Sequence, residues 1–226
     1  MRKIINEHKF FGVYEIDKGR KKILTKNLTP KKTFFDEATY KEGREEYRLW
    51  DPSRSKLAAA IMKDVSQIGI KPKDVVLYLG ASHGYTPSFL SDIVGEDGII
   101  FALDFAPRVV RDLVMLAEKR KNIVPILADC KKPQTYVDRV ILADVVYQDI
   151  AQKNQVEIFL KNCNMYLKKD GFALLCVKAR SVDVTKKPAE IFNKVRTQLE
   201  DKIIIVDYRK LDPFEKDHCI FVCKKK

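Results

Sequence analysis

The chain has 226 residues, 46% of them hydrophobic, enough for one domain with a sizeable core plus a small appendage and too apolar for a disordered or collagen-like chain. Lys and Arg number 43 against 31 Asp and Glu, a net charge of +12, which favours a polyanionic partner, nucleic acid first and an anionic membrane surface second. No apolar run approaches the roughly 18 residues of a membrane span; Met1-Arg2-Lys3-Ile4-Ile5-Asn6-Glu7 lacks the apolar stretch of a signal peptide, and Cys130, Cys163, Cys176, Cys219 and Cys223 include no Cys-x-x-Cys, so the expectation is a cytoplasmic protein with no disulfide framework and no metal site.

Along residues 1–50 the apolar alternations are short. Phe11 to Ile16 and Lys22 to Thr25 flank Asp17-Lys18-Gly19-Arg20 and read as a hairpin. Residues 1–52 are therefore expected to form a small, basic, antiparallel β domain, and 53–226 the main domain. Trp50 is expected to pack between them. From Ser55 the pattern changes to alternating helices and strands. Leu57, Ala58, Ile61, Met62, Val65 and Ile68 predict a helix over Ser55–Ile68. Strands follow at Val75–Leu79, Ile99–Leu103, Ile123–Ala128, Arg139–Ala143 and Phe172–Val177. Helices are predicted at Ser88–Val94, closed by Gly95, at Pro107–Arg120 with Pro in its first turn, at about Ala151–Tyr166 and at about Lys187–Glu200. Ile203–Tyr208 and Cys219–Cys223 close the chain with no helix between them, which fits an antiparallel pair. The fold class is α/β, a Rossmann-like sheet that is mostly parallel with the last strand reversed.

The first strand of this domain runs into Gly80-Ala81-Ser82-His83-Gly84-Tyr85-Thr86. Glycines between an apolar strand and a helix let a ligand sit at the carboxyl edge of the sheet. About 20 residues further on, Asp104 ends the second strand, where an acid pairs with ribose hydroxyls. Asp129-Cys130 follows the third strand, where an acid can accept from an adenine amine. Asp144 is read as the end of the fourth, in Ala143-Asp144-Val145-Val146-Tyr147. No Walker-type Lys follows the glycines, so a triphosphate is not expected. The pocket suits adenosylmethionine, with a nicotinamide dinucleotide as competitor. His8 and His83 have no metal-ligand spacing around them.

Several segments closely resemble the fibrillarin family, in family order from about residue 8 to the end. They include Tyr47-Arg48-Leu49-Trp50-Asp51-Pro52-Ser53-Arg54-Ser55-Lys56, Val76-Leu77-Tyr78-Leu79-Gly80-Ala81-Ser82, Ser91-Asp92-Ile93-Val94-Gly95 and Pro107-Arg108. Lys178-Ala179-Arg180-Ser181-Val182-Asp183 and Asp212-Pro213-Phe214-Glu215-Lys216-Asp217-His218 complete the set. The chain resembles the archaeal form, without a Gly/Arg-rich amino-terminal tail. The resemblance implies an S-adenosylmethionine-dependent RNA ribose 2′-O-methyltransferase acting on rRNA and possibly tRNA. It further implies a box C/D guide-RNA particle containing a Nop-family scaffold and a kink-turn-binding ribosomal-type protein. Cofactor contacts are then expected at Gly80, Ala81, Ser82, Gly84, Tyr85, Thr86, Asp104, Phe105, Asp129, Cys130, Asp144, Val145, Val146 and Tyr147. Ser82-His83-Gly84-Tyr85-Thr86 stands for the family's Ala-Ser-Gly-Thr-Thr, Asp104 for its Glu, and Asp144-Val145-Val146-Tyr147 is read as its Asp-Val-Ala-Gln.

A ribose hydroxyl is a poor nucleophile until a positioned base takes its proton. By topology Lys56, Asp144, Lys178 and His218 converge on the carboxyl edge, and they match the family's Lys-Asp-Lys-His tetrad. Lys178 is expected to accept the proton and Asp144 to orient it. Lys56 would steer the ribose or its phosphate, and His218 would complete the network. A particle subunit without catalytic activity and a nicotinamide-dependent reductase are the rival classes; methyl-transfer and cofactor-binding assays separate them.

Overall fold

The computed structural model describes residues 5–17, 19 and 21–226. Five amino-terminal strands, β1 (Ile5–Glu7), β2 (Val13–Asp17), β3 (Lys21–Lys26), β4 (Thr39–Glu42) and β5 (Glu45–Leu49), form an antiparallel sheet in the order β1-β2-β3-β5-β4. The expected hairpin is β2–β3, with Val13 opposite Thr25; Lys18 and Arg20 of its turn lie outside the described residues.

Ser55 caps α1 (Lys56–Met62), its hydroxyl accepting from the Ala58 N–H at 3.4 Å. The predicted helix to Ile68 stops early because Asp64 turns left-handed, at φ 54°. Val65 and Ile68 are nevertheless buried, in extended chain. Then come β6 (Val75–Leu79), α2 (Tyr85–Val94), β7 (Ile99–Asp104), α3 (Pro107–Lys119), β8 (Ile123–Leu127), β9 (Ala143–Gln148), α4 (Gln155–Tyr166), β10 (Leu167–Lys178), the short α5 (Ala179–Val182), α6 (Pro188–Glu200), β11 (Ile204–Lys210) and β12 (His218–Lys224). The strands form one sheet in the order β11-β12-β10-β9-β6-β7-β8. It is parallel except for β12, which runs antiparallel to both β10 and β11 and lies between them rather than at the edge.

Successive strand residues point to opposite faces. Val76, Tyr78, Val145 and Tyr147 pack with α1, α2 and α3, while Leu77, Leu79 and Val146 pack with α4 and α6. The first of these cores also takes in Phe10, Val13, Ile23 and Trp50. Trp50 is fully buried and stacks on Phe89 of α2, ring centroids 5.3 Å apart. Beneath the amino-terminal sheet, Asp92 of α2 accepts from the Arg48 and Arg120 guanidinium groups at 2.8 and 2.7 Å, from the Thr25 hydroxyl at 2.7 Å and from the Leu28 N–H at 3.1 Å. Arg48 also donates to Glu37 at 2.7 Å. All five cysteines are buried and free. No helix among the described residues is long and apolar enough to cross a membrane.

The fourth strand differs from expectation. It is not Arg139–Ala143 but Ala143–Gln148. Ile141 and Leu142 are 58% and 55% exposed, whereas Val145, Val146 and Tyr147 are fully buried. Asp144 therefore begins the strand. It sits at the amino edge of the sheet, accepting from the Val75 N–H at 2.9 Å and from Lys168 Nζ at 2.7 Å.

Candidate active site

The carboxyl ends of β6, β7, β8 and β9 surround a cavity of about 360 Å³ lined by Gly80, Ser82, Leu103, Asp104, Phe105, Ala128, Asp129, Cys130, Lys131, Asp149, Ile150, Ala151 and Gln152. The backbone sews the strand tips together. Gly80 N–H donates to Leu103 carbonyl at 2.9 Å, and Asp149 N–H to Leu79 carbonyl at 2.9 Å. Gly80 has φ +82°, and a Cβ there would come within 2.3 Å of the Asp149 carbonyl oxygen. The glycine is thus required for the tips of β6 and β9 to meet, as well as for close ligand approach.

Asp104 uses one lone pair on each oxygen to hold the loops, accepting from the Ser82 N–H at 3.0 Å and the Ala106 N–H at 3.1 Å. A carboxylate offers about four acceptor positions, so Asp104 keeps capacity for a ribose. Phe105 lines the cavity while 70% exposed, leaving an aromatic face available to a base. Asp129 accepts from the Lys131 N–H at 2.9 Å and faces the same space. Burial pushes the Cys130 thiol up to about 11, so it is a neutral, weakly polar wall. An acid at each of two adjacent strand tips with an aromatic between them fits an adenosyl group.

Some expected cofactor residues are elsewhere. Ala81, Gly84, Tyr85 and Thr86 do not line the cavity. Gly84 starts α2 against α3, where a Cβ would be 2.6 Å from a Leu116 methyl. Tyr85 faces the amino-terminal side, its hydroxyl accepting from the Asp51 N–H at 3.2 Å and its ring 4.2 Å from the Arg54 guanidinium carbon. Thr86 donates to the Ser55 hydroxyl at 3.0 Å. Asp144, Val145, Val146 and Tyr147 are also excluded, Asp144 because it is at the far edge. Val145 and Val146 lie inside β9, and Tyr147 is buried, stacked on Tyr78 with its hydroxyl 3.0 Å from Cys176 Sγ.

The acid at the carboxyl end of β9 is Asp149. Lys56 Nζ donates to its Oδ2 at 3.0 Å, with the two side chains 18% and 23% exposed. Burial pulls the Lys56 pKa down, but the charge of Asp149, its hydrogen bond and the nearby Glu215 outweigh that and raise it. Lys56 is therefore a cation at neutral pH. Lys178 and His218 are register partners at the adjoining end of β10 and β12. The Lys178 side chain is exposed and has no hydrogen-bond partner among the described residues, so the acid orients Lys56, not Lys178. His218 is buried, its Nδ1 2.6 Å from the Lys216 carbonyl oxygen.

The sequence itself holds the signal for Asp149. Asp149-Ile150-Ala151-Gln152 matches Asp-Val-Ala-Gln with one conservative change, where Asp144-Val145-Val146-Tyr147 keeps only its first two residues. Three of these four residues follow Asp149 into the cavity lining, where their backbone can meet a ligand.

A family model described as Fibrillarin matches residues 4–226. The chain is 46% identical over 223 residues to the fibrillarin-like rRNA/tRNA 2′-O-methyltransferase of Thermococcus sibiricus, covering 98% of this chain and 99% of the relative. Its fold superposes on Aeropyrum pernix fibrillarin in complex with natively bound S-adenosyl-L-methionine with a TM-score of 0.89 at 39% identity, covering 97% of each chain. A fibrillarin solved in complex with Nop5p gives a TM-score of 0.87 at 37% identity, covering 97% of this chain and 100% of that one.

Proposed function

Because this chain belongs to the fibrillarin family, we propose that it methylates ribose 2′-hydroxyls of guide-selected nucleotides in rRNA and tRNA, with S-adenosylmethionine as donor. It would act as the catalytic subunit of a box C/D particle with a Nop-family scaffold and a kink-turn-binding protein, in the cytoplasm. The observation that carries the reading is the Lys56–Asp149 pair at 3.0 Å, whose Asp149 lines the cavity at the carboxyl edge, with the Lys178–His218 register pair at the adjoining strand ends.

When bound, the cofactor supplies an electrophilic sulfonium methyl. Asp104 would hold its ribose, Phe105 and Asp129 its adenine, and the backbone at Gly80 and Ala151 the remainder. Asp149 keeps Lys56 charged and aimed along the edge, where the ammonium can hold the ribose or its flanking phosphate. Lys178, paired with no carboxylate among the described residues, stands on the solvent side and is the proposed acceptor of the hydroxyl proton, a role that requires its neutral form. His218 fixes the wall beside it. Guide pairing supplies sequence selection, so the protein needs only contacts to backbone and ribose, which the +12 charge suits.

The test is to reconstitute the particle and map methylation on a guide-paired RNA. The expected result is one methylated ribose, abolished when that nucleotide is 2′-deoxy. Methyl transfer that persists on the deoxy substrate would place the product on a base and overturn the reading.

A further inference from the structure

Glu215 lies in the loop between β11 and β12 and belongs to no part of the set just described. The loop is pinned at its base and within. Leu211 N–H donates to the His218 carbonyl at 3.0 Å, and Glu215 N–H to the Leu211 carbonyl at 3.1 Å. The Glu215 side chain is 19% exposed, and its Oε2 is 3.8 Å from His218 Nδ1. Its charge also acts on Lys56 and on the buried Cys176 thiol, raising the pKa of both. The acid bonded to the Lys56 ammonium is Asp149, at 3.0 Å; the contact of Glu215 is with the His218 ring. The Glu215 carboxylate itself makes no hydrogen bond among the described residues. A half-buried carboxylate left in this state gains from a nearby hydrogen-bond donor or cation.

The His218 ring has a defined protonation pattern. A carbonyl oxygen can only accept, so at 2.6 Å from the Lys216 carbonyl Nδ1 must carry the hydrogen. In the neutral ring Nε2 is then an acceptor. A carboxylate on the Nδ1 side favours the same arrangement, because it attracts the N–H and repels a lone pair.

We propose that Glu215 is a positioning residue for methyl transfer, its carboxylate, 3.8 Å from the ring, favouring the Nδ1-protonated form of His218. The inference rests on the methyl-transfer reading. Its role is electrostatic, so charge matters more than shape, and Asp retains what Gln removes.

The experiment compares Glu215→Gln and Glu215→Asp with the wild type in the reconstituted particle, by single-turnover methylation, and in the isolated chain by cofactor calorimetry and histidine ¹⁵N NMR. Glu215→Gln should slow transfer about 10-fold, in the coupling range of contacting charged groups, with cofactor and RNA affinity unchanged. Glu215→Asp should recover most of that rate. In the NMR spectrum the His218 Nδ1–H tautomer should dominate in the wild type and be less dominant in Glu215→Gln, where only the Lys216 carbonyl is left to favour it. A Glu215→Gln protein with wild-type rate and unchanged tautomer would overturn the proposal. So would equal losses in both variants accompanied by a lowered Tm, which would mark a purely structural residue. A wild-type particle that transfers no methyl would instead defeat the function reading, and this proposal with it.

Discussion

Beneath the amino-terminal sheet and at the carboxyl edge of the main sheet, the molecule gathers the same kinds of charge in opposite states. The side chains of Arg48, Asp92 and Arg120 are 0% exposed, and both oxygens of Asp92 are engaged, by Arg48 and Thr25 on one and by Arg120 and Leu28 on the other. At the carboxyl edge Asp149 holds Lys56, Glu215 lies 3.8 Å from His218, and the Lys178 side chain has no partner among the described residues. Burial explains the difference. A charge removed from water must be saturated by partners or it destabilises the fold. A charge that meets a ligand has to keep donors and lone pairs unused. The degree of saturation, more than the presence of charge, separates the structural cluster from the functional one.

The comparison can be broken from either side. The largest effect is expected at the open edge. Lys178→Arg keeps the positive charge but cannot accept a proton at neutral pH, so single-turnover methylation should fall by about 10²–10⁴, the usual worth of general acid–base catalysis. Thermal unfolding should be unchanged. A near-normal rate would mean that Lys178 acts only as a cation and that the proton leaves by another route.

The saturated cluster should show the reverse. Asp92→Ala leaves the buried Arg120 guanidinium without its carboxylate and Arg48 with Glu37 alone, and breaking a buried pair in this way typically costs about 3–5 kcal/mol. Urea unfolding should show that loss, and a variant as stable as the wild type would mean that water or a shifted Arg replaces the acid.

A smaller effect sharpens the same contrast through pH. Burial alone would push the Glu37 carboxyl up, but the Arg48 guanidinium and the backbone N–H groups around it outweigh that and hold it below the ordinary value. Its stabilisation is therefore present above the unfolded pKa of about 4.3 and is lost as pH falls from there through the lower folded value. Denaturant unfolding of Glu37→Gln should show a flatter acid limb than the wild type. Parallel limbs would show that other carboxylates govern acid unfolding.

What the sequence revealed follows from what each interaction needs. β6 reads directly because Val75-Val76-Leu77-Tyr78-Leu79 is a continuous apolar run, the pattern of a strand covered on both faces. Asp104 and Asp129 follow because the next two strands are equally clear. β9 was misplaced because Val140-Ile141-Leu142-Ala143-Asp144-Val145-Val146-Tyr147 is one apolar stretch with an acid inside it. An acid usually ends a buried strand, but here it begins one, its charge drawn to Lys168 and to the first N–H of β6. In the amino-terminal sheet, β5 hides in Glu45-Glu46-Tyr47-Arg48-Leu49, where Glu46 and Arg48 point inward. Their partners lie on loops and helices far along the chain, so local hydrophobicity carries no trace of them. Glu215 stands three residues before His218, and only the turn of the β11–β12 loop brings its carboxylate back to the ring, which residue spacing alone does not show.

The central claim is that the functional acid of β9 is Asp149, at the carboxyl edge, and that Asp144, bonded to Lys168 at the opposite edge, is structural. Single-turnover methylation by the reconstituted particle carrying Asp149→Asn or Asp144→Asn tests it most directly. The account predicts a loss of at least about 10²-fold for Asp149→Asn, the lower end of what a lost catalytic contact costs, with the isolated chain still folded. It predicts a near-wild-type rate for Asp144→Asn, whose half-exposed ion pair is worth at most about 1 kcal/mol of stability. Wild-type activity in Asp149→Asn together with a collapsed rate in Asp144→Asn would contradict it.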